Sequence, residues 1–107
     1  MAFDLAPRQF AARAAEAAAL LKALAHEARL MVLCQLLEGE HSAGALQAAS
    51  GLSQSALSQH LARLREEGLV ATRREAQTIY YSLADPSVMR VLEALAEIYC
   101  PPKRKRK

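Results

Sequence analysis

The stretch that most constrains this chain runs from Ser42 to Gly68, SAGALQAASGLSQSALSQHLARLREEG, where two short helical patterns meet at a turn. Ser42 is placed to cap a first helix carried through Leu46 and Ala49, and Gly51 supplies the break at which the chain turns. A second helix is expected from Ser53 to Glu67. Its apolar residues Leu57, Leu61 and Leu64 recur at i, i+4 and i+7, so one stripe faces a core. Gln54, Ser55, Ser58 and Gln59 project from the other side as a short, polar, uncharged face. Amides and hydroxyls of this kind match the donors and acceptors that base pairs display in a major groove, so this segment is read as a recognition helix. The same face on its own also describes the wet side of any amphipathic helix.

The segment after this helix adds the specificity. Leu69 to Arg74 and Thr78 to Leu83 are strand-like runs joined by Glu75, Ala76 and Gln77, the second run marked by Thr78, Ile79, Tyr80 and Tyr81. Helix, turn, helix and an arginine-bearing hairpin together predict a mainly α winged helix-turn-helix, with five helices and a two-stranded β-hairpin wing. Gln54, Ser55, Ser58, Gln59 and His60 are the candidates for base edges. Arg63, Arg73, Arg74 and Gln77 are the candidates for the phosphate backbone or minor groove.

Global charge adds little to this reading. The net charge is +3, but residues 103–107 are all basic, so residues 1–102 carry nine basic against eleven acidic side chains. Local placement of arginines is what matters, and Glu66, Glu67 and Glu75 temper it. With 107 residues, 52% of them hydrophobic, the chain suits one domain over 1–102, stabilised by association with a second copy. The basic tail 103–107 has no apolar residue with which to fold and is expected to be disordered. No apolar run approaches the ~18 residues of a membrane span and no signal-type segment stands at the N-terminus, so a cytoplasmic location is expected.

Around this unit, Pro7 to about Leu24 is alanine-rich and strongly helix-forming, a face suited to close approach by another helix and hence to dimerisation. Ala25 to Glu38 is apolar over most of its circumference, which predicts a central helix ended by Gly39. Cys34 lies there on the face of Leu30 and Leu37, as a small buried hydrophobe would. Asp85 and Pro86 open a last helix to about Tyr99, striped by Val88, Leu92, Leu95 and Tyr99, and Cys100 closes it before Pro101 and Pro102.

AHEARLMVLCQLLEGE followed by LSQSALSQHLARLREEGLVATRREAQTIYYSL resembles the ArsR/SmtB family of bacterial winged-helix repressors, over roughly Glu16 to Cys100. The resemblance implies a homodimer with its first and last helices at the interface, bound to a double-stranded DNA operator and released when an inducer is sensed. One departure is Ala76, where many relatives have glycine; if the wing turn needs positive φ there, alanine costs about 1 kcal/mol. The family's metal-binding patterns are not matched. Where relatives carry a close cysteine pair this chain has Glu40, His41, Ser42, Ala43 and Gly44, and its last helix has Glu93 and Glu97 but no histidine. His26, His41 and His60 are spread singly along the sequence, so neither a metal nor any other cofactor is expected.

The placement of Cys34 and Cys100 resembles the persulfide-sensing branch of the family, which implies reactive sulfur species as inducer and a sulfur-bridged link between the two. From the residues alone, two distant thiols without a CxxC motif point to reversible chemistry rather than to a structural disulfide. Other readings are an ArsR-type repressor answering another thiol oxidant or a metal or metalloid, a helical interaction module that does not bind DNA, and a thiol oxidoreductase. The last lacks both CxxC and an activating histidine, and no enzyme activity is expected.

Overall fold

A run of eighteen residues with no internal glycine or proline forms α1, Pro7–Leu24. In the computed structural model residues 7–100 are described; residues 1–6 and the expected basic tail at 103–107 lie outside them. Alanine gives α1 little reach into the interior. Leu24 alone of its side chains is buried, with Leu20 and Ala23 packed against the core from outside.

The second helix, α2, is Glu27–Gln35 and starts later than its composition suggests. His26 is extended at φ −151°, ψ 124°, and its Nδ1 accepts the Ala28 N–H at 3.2 Å, satisfying one of the donors a helix start leaves free. Leu36–Glu38 continues as a 3-10 turn ending at Gly39. Val32 and Leu33 are fully buried and Leu36 nearly so, whereas Met31 is 45% exposed, so this central helix is not apolar-packed all round.

His41–Ser42 forms a short strand, β1, that the sequence did not announce. Ser42 also caps the next helix, α3 (Ala43–Ser50), its Oγ accepting the Ala45 N–H at 3.2 Å. Gly51 ends α3 in the left-handed region at φ 74°, and the turn delivers the chain to Ser53, whose Oγ accepts the Ala56 N–H at 3.1 Å. There α4 begins, Gln54–Glu66, with Leu57, Leu61 and Leu64 buried as their spacing requires.

Strands β2 (Val70–Glu75) and β3 (Thr78–Leu83) form the wing, antiparallel from Val70↔Leu83 to Glu75↔Thr78. β1 adds to the far edge of β3 through His41↔Tyr81 and Ser42↔Tyr80, so the two-stranded wing is part of a three-stranded sheet of order β1-β3-β2. At the wing tip Ala76 has φ 56°, the one positive-φ non-glycine among the described residues. Asp85 then caps α5, Pro86–Tyr99, its Oδ1 accepting the Ser87 N–H at 2.8 Å. Val88 and Leu92 of the expected stripe are buried, but Tyr99 is 78% exposed, because the last turns of α5 run past the core. Leucines of α2, α3 and α4 meet Leu69 and Val70 at the root of the wing and Val88 and Leu92 of α5 in one buried cluster, which fixes the attitude of α4.

Candidate nucleic-acid interface

The leucine stripe of α4 turns its opposite face outward, where Gln54, Ser55, Ser58 and Gln59 are all exposed. The Ser53 hydroxyl is taken up in capping, leaving these four side chains as the helix's outward amides and hydroxyls. Short polar groups on a rigid helix held by three buried leucines form a surface able to enter a major groove and exchange hydrogen bonds with base edges. Arg63 and Arg65 stand in the last turn of the same helix, both exposed.

Alternation along β2 sends Arg73 and Arg74 to opposite faces of the wing. Arg73 is already engaged: its Nε donates to both Glu40 carboxylate oxygens at 2.9 and 2.7 Å, and a terminal nitrogen donates to Glu75 Oε1 at 3.1 Å. Its guanidinium also lies 4.7 Å from the centre of the Tyr80 ring. Hydrogen bonds to Glu40 first and Glu75 second hold this guanidinium charged well above its ordinary range. The side chain thus spans the sheet from β2 across Tyr80 to the residue preceding β1. Arg74 is exposed, and Gln77 at the tip borders a groove of about 430 Å³ with Ser42, Gly44 and Thr78.

His60 departs from the other reading-face candidates. It is half-buried on the flank of α4, its ring centroid 5.0 Å from that of His26, in a cleft of about 440 Å³ shared with Arg29, Gln59 and Arg63. Burial first, then the neighbouring His26, Arg29 and Arg63, push the His60 imidazole below its usual protonation range. Histidines 26 and 60, separate in sequence, are therefore neighbours in space.

Residues 26–72, from the cap of α2 into the wing, match the bacterial regulatory protein, arsR family. Over 86 residues the chain is 55% identical to the transcriptional activator HlyU of Vibrio cholerae, covering 80% of each. It is 53% identical over 91 residues to the biofilm growth-associated repressor of Agrobacterium fabrum, covering 85% of this chain and 78% of that one. The chain belongs to the ArsR family. Among solved structures, reduced HlyU from Vibrio cholerae superposes with a TM-score of 0.83 at 50% identity, covering 88% of this chain and 99% of that one. The repressor BigR from Xylella fastidiosa gives 0.83 at 42% identity, over 92% of this chain and all of that one. As an ArsR-family member the protein is a winged-helix transcriptional regulator, not an enzyme, and no helix among its described residues is long and apolar enough to cross a membrane.

The two cysteines of this ArsR-family chain are both free thiols. Cys34 is half-buried against the core on α2, while Cys100 is exposed at the C-cap of α5, its N–H donating to the Ala96 carbonyl at 2.9 Å. Burial foremost, and the charge of Cys100 second, push the Cys34 thiol above its usual range. The two cysteines, far apart in sequence, stand on α2 and at the end of α5, helices that pack against each other. Sequence reasoning did not mark Glu40 or His26, since each acts on a residue of another element and carries no periodic signal of its own. Glu40 stands directly before β1, a strand too short to show alternation.

Proposed function

We propose that this protein is a homodimeric repressor that binds a double-stranded DNA operator and releases it when reactive sulfur species link Cys34 to Cys100. The observation that carries the reading is a half-buried free thiol on the central helix and an exposed free thiol at the end of α5, two helices that pack against each other. In support of a dimer, α1 exposes Phe10 (54%) and Leu21 (58%), about three helical turns apart on one side, and α5 exposes Ile98 and Tyr99. Each such side chain, already part-buried, gains about 1–2 kcal/mol on full burial, which a second copy would provide. Gln54, Ser55, Ser58 and Gln59 then read base edges, and Arg63, Arg74 and Gln77 contact the backbone or minor groove. Arg73 joins them only by exchanging Glu40 for a phosphate.

The exposed Cys100 thiolate attacks a sulfur of the polysulfide; the next S–S bond breaks and a shorter thiolate leaves. Cys34, as thiolate, attacks a sulfur of the chain now on Cys100, and a second thiolate leaves. Together the two cysteines lose two electrons, which the departing sulfides carry away. The bridge of several sulfurs spans more than a direct disulfide, whose Cα atoms must lie within about 7 Å, so wherever the two cysteines stand beyond that reach polysulfide closes the link with less strain than peroxide does. The link ties α2, which backs the reading unit, to α5. A coupling of 1–3 kcal/mol, about 5–150-fold in affinity, suffices for induction.

The test is operator binding by Cys34→Ser and Cys100→Ser before and after polysulfide, with intact mass. Both variants are expected to bind DNA and neither to release it at the dose that frees the wild type. Release of either single variant at that dose refutes the paired mechanism. The named activator among the relatives favours a second reading in which the same binding raises transcription. A promoter fusion in a strain deleted for the gene separates the two signs.

A further inference from the structure

The cleft between α2 and the flank of α4 holds two histidines and two arginines that base reading does not employ. Charged and titratable groups reach it from both of these helices. From α1 comes only the Ala23 carbonyl, which accepts from Arg29 at 3.0 Å. The α2 side brings His26 and Arg29, with Glu27 turned to the neighbouring hollow beside Met31. From α4 come His60, Arg63 and Glu66, and Glu67 approaches Arg29 at 3.8 Å.

Two arginines against two carboxylates leave the cleft without net charge while His60 is neutral. Protonating His60 makes it cationic. The Arg29 side chain is only 11% exposed, and its Nε is buried without a hydrogen-bond partner, so the floor of the cleft keeps an incompletely compensated positive charge. The tautomer of His26 is fixed by its cap: the Ala28 N–H can only donate, so Nδ1 is the acceptor and the ring proton sits on Nε2. His26 thus presents an Nε2 donor, and the His60 ring stands beside it. A metal cation is disfavoured between two guanidinium groups, whereas an oxyanion finds donors on Arg63 and both rings.

We propose that this cleft binds a backbone phosphate of the DNA flanking the bases read by α4, and that a proton on His60 completes the charge that holds it. The inference rests on the operator-binding reading above. In the free protein burial and the cationic neighbours keep His60 neutral to lower pH than an ordinary imidazole. A bound phosphate offsets the cationic neighbours and raises the proton affinity. Linkage then gives the sign: the extra affinity is full below the free-state pKa and fades as pH rises through the higher, DNA-bound pKa. One proton taken up limits the effect to about tenfold per pH unit.

The probe is a fluorescein-labelled duplex of about 30 base pairs, carrying a site selected by the protein from a randomised pool, with anisotropy read from pH 5.5 to 8.0 at fixed ionic strength. The wild type is expected to tighten by about fivefold or more toward low pH. His60→Gln is expected to lose most of that slope. In parallel, NMR titration of the wild-type His60 ring is expected to show its pKa rising on DNA binding, a readout independent of any folding defect in the variant. Equal slopes for the two proteins, or a His60 pKa that stays put or falls in the complex, overturn the inference while DNA binding stands. Failure of the wild type to bind duplex DNA at any pH overturns the operator-binding reading and this inference with it.

Discussion

Replacing Ala76 with glycine is expected to stabilise the protein, and the wing geometry sets how far. The hairpin closes at Glu75↔Thr78, so only Ala76 and Gln77 form its loop, and of these Ala76 alone has positive φ, at 56°. Two-residue hairpin loops with positive φ at the first position favour glycine there, because a Cβ crowds the neighbouring peptide. Relief of that crowding is worth about 1–2 kcal/mol. Glycine returns about 0.5–1 kcal/mol of it through the greater freedom of the unfolded chain. The net gain is about 0.5–1 kcal/mol, or roughly 2–8 °C in Tm for a domain of this size. Urea titration and calorimetry at one fixed protein concentration measure it, since Tm depends on concentration for any protein that self-associates. Gln77→Gly is the control: with no positive φ to relieve, it adds only the entropic cost and is expected to destabilise by about 0.5–1 kcal/mol. Equal signs for the two substitutions would refute the reasoning. If the wing opens separately from the core, the gain shows as slower amide exchange at Glu75 and Thr78 rather than as a higher Tm.

The division of labour at the interface predicts different failures for two variants. Gln59→Ala is expected to relax specificity at one base pair by about 1–3 kcal/mol, and Arg74→Ala to weaken all sequences alike and lower the salt slope by about one unit, as binding-site selection and salt titration will show. Glu40→Gln, which frees Arg73 from its carboxylate partner, is expected to tighten non-specific DNA binding, and unchanged affinity at low salt would mean that Arg73 acts only within the sheet. Phe10→Glu and Ile98→Glu are expected to shift sedimentation from dimer to monomer and to lose operator affinity together; a wild type that sediments as a monomer at micromolar concentration, with and without DNA, would remove the basis for both.

The elements with regular periods were the legible ones. Leu57, Leu61 and Leu64 announced α4, and Ser42, Gly51, Ser53 and Asp85 marked helix ends because capping is a local transaction with backbone only a few residues away. The chain's demand for positive φ at Ala76 was legible too, as a departure from a glycine position. β1 was not, since two residues cannot show an alternation and its pairing is decided by β3, far along the chain. Met31 and Tyr99 read as core by their apolar character, yet whether an apolar side chain is covered depends on what lies opposite, which the period of one helix does not encode. At the interface the exposed face of α4 followed from its leucines, whereas the engagement of Arg73 by Glu40 and the meeting of His26 with His60 are products of tertiary approach.

Ser42 serves two elements at once: its backbone pairs with Tyr80 of the wing and its hydroxyl caps α3. No spare residue lies between the hairpin edge and the helix that precedes the reading helix, so the linkage works as a welded joint rather than a hinge. An insertion or deletion at this point would shift the strand register and misplace the cap together. On the operator-binding reading proposed above, new base preferences would be reached by exchanging side chains on α4 while the angle between helix and wing stays unchanged. The same stiffness makes the reading unit and wing turn as one piece, so any signal that dislodges it from DNA has to act on how the whole piece is held.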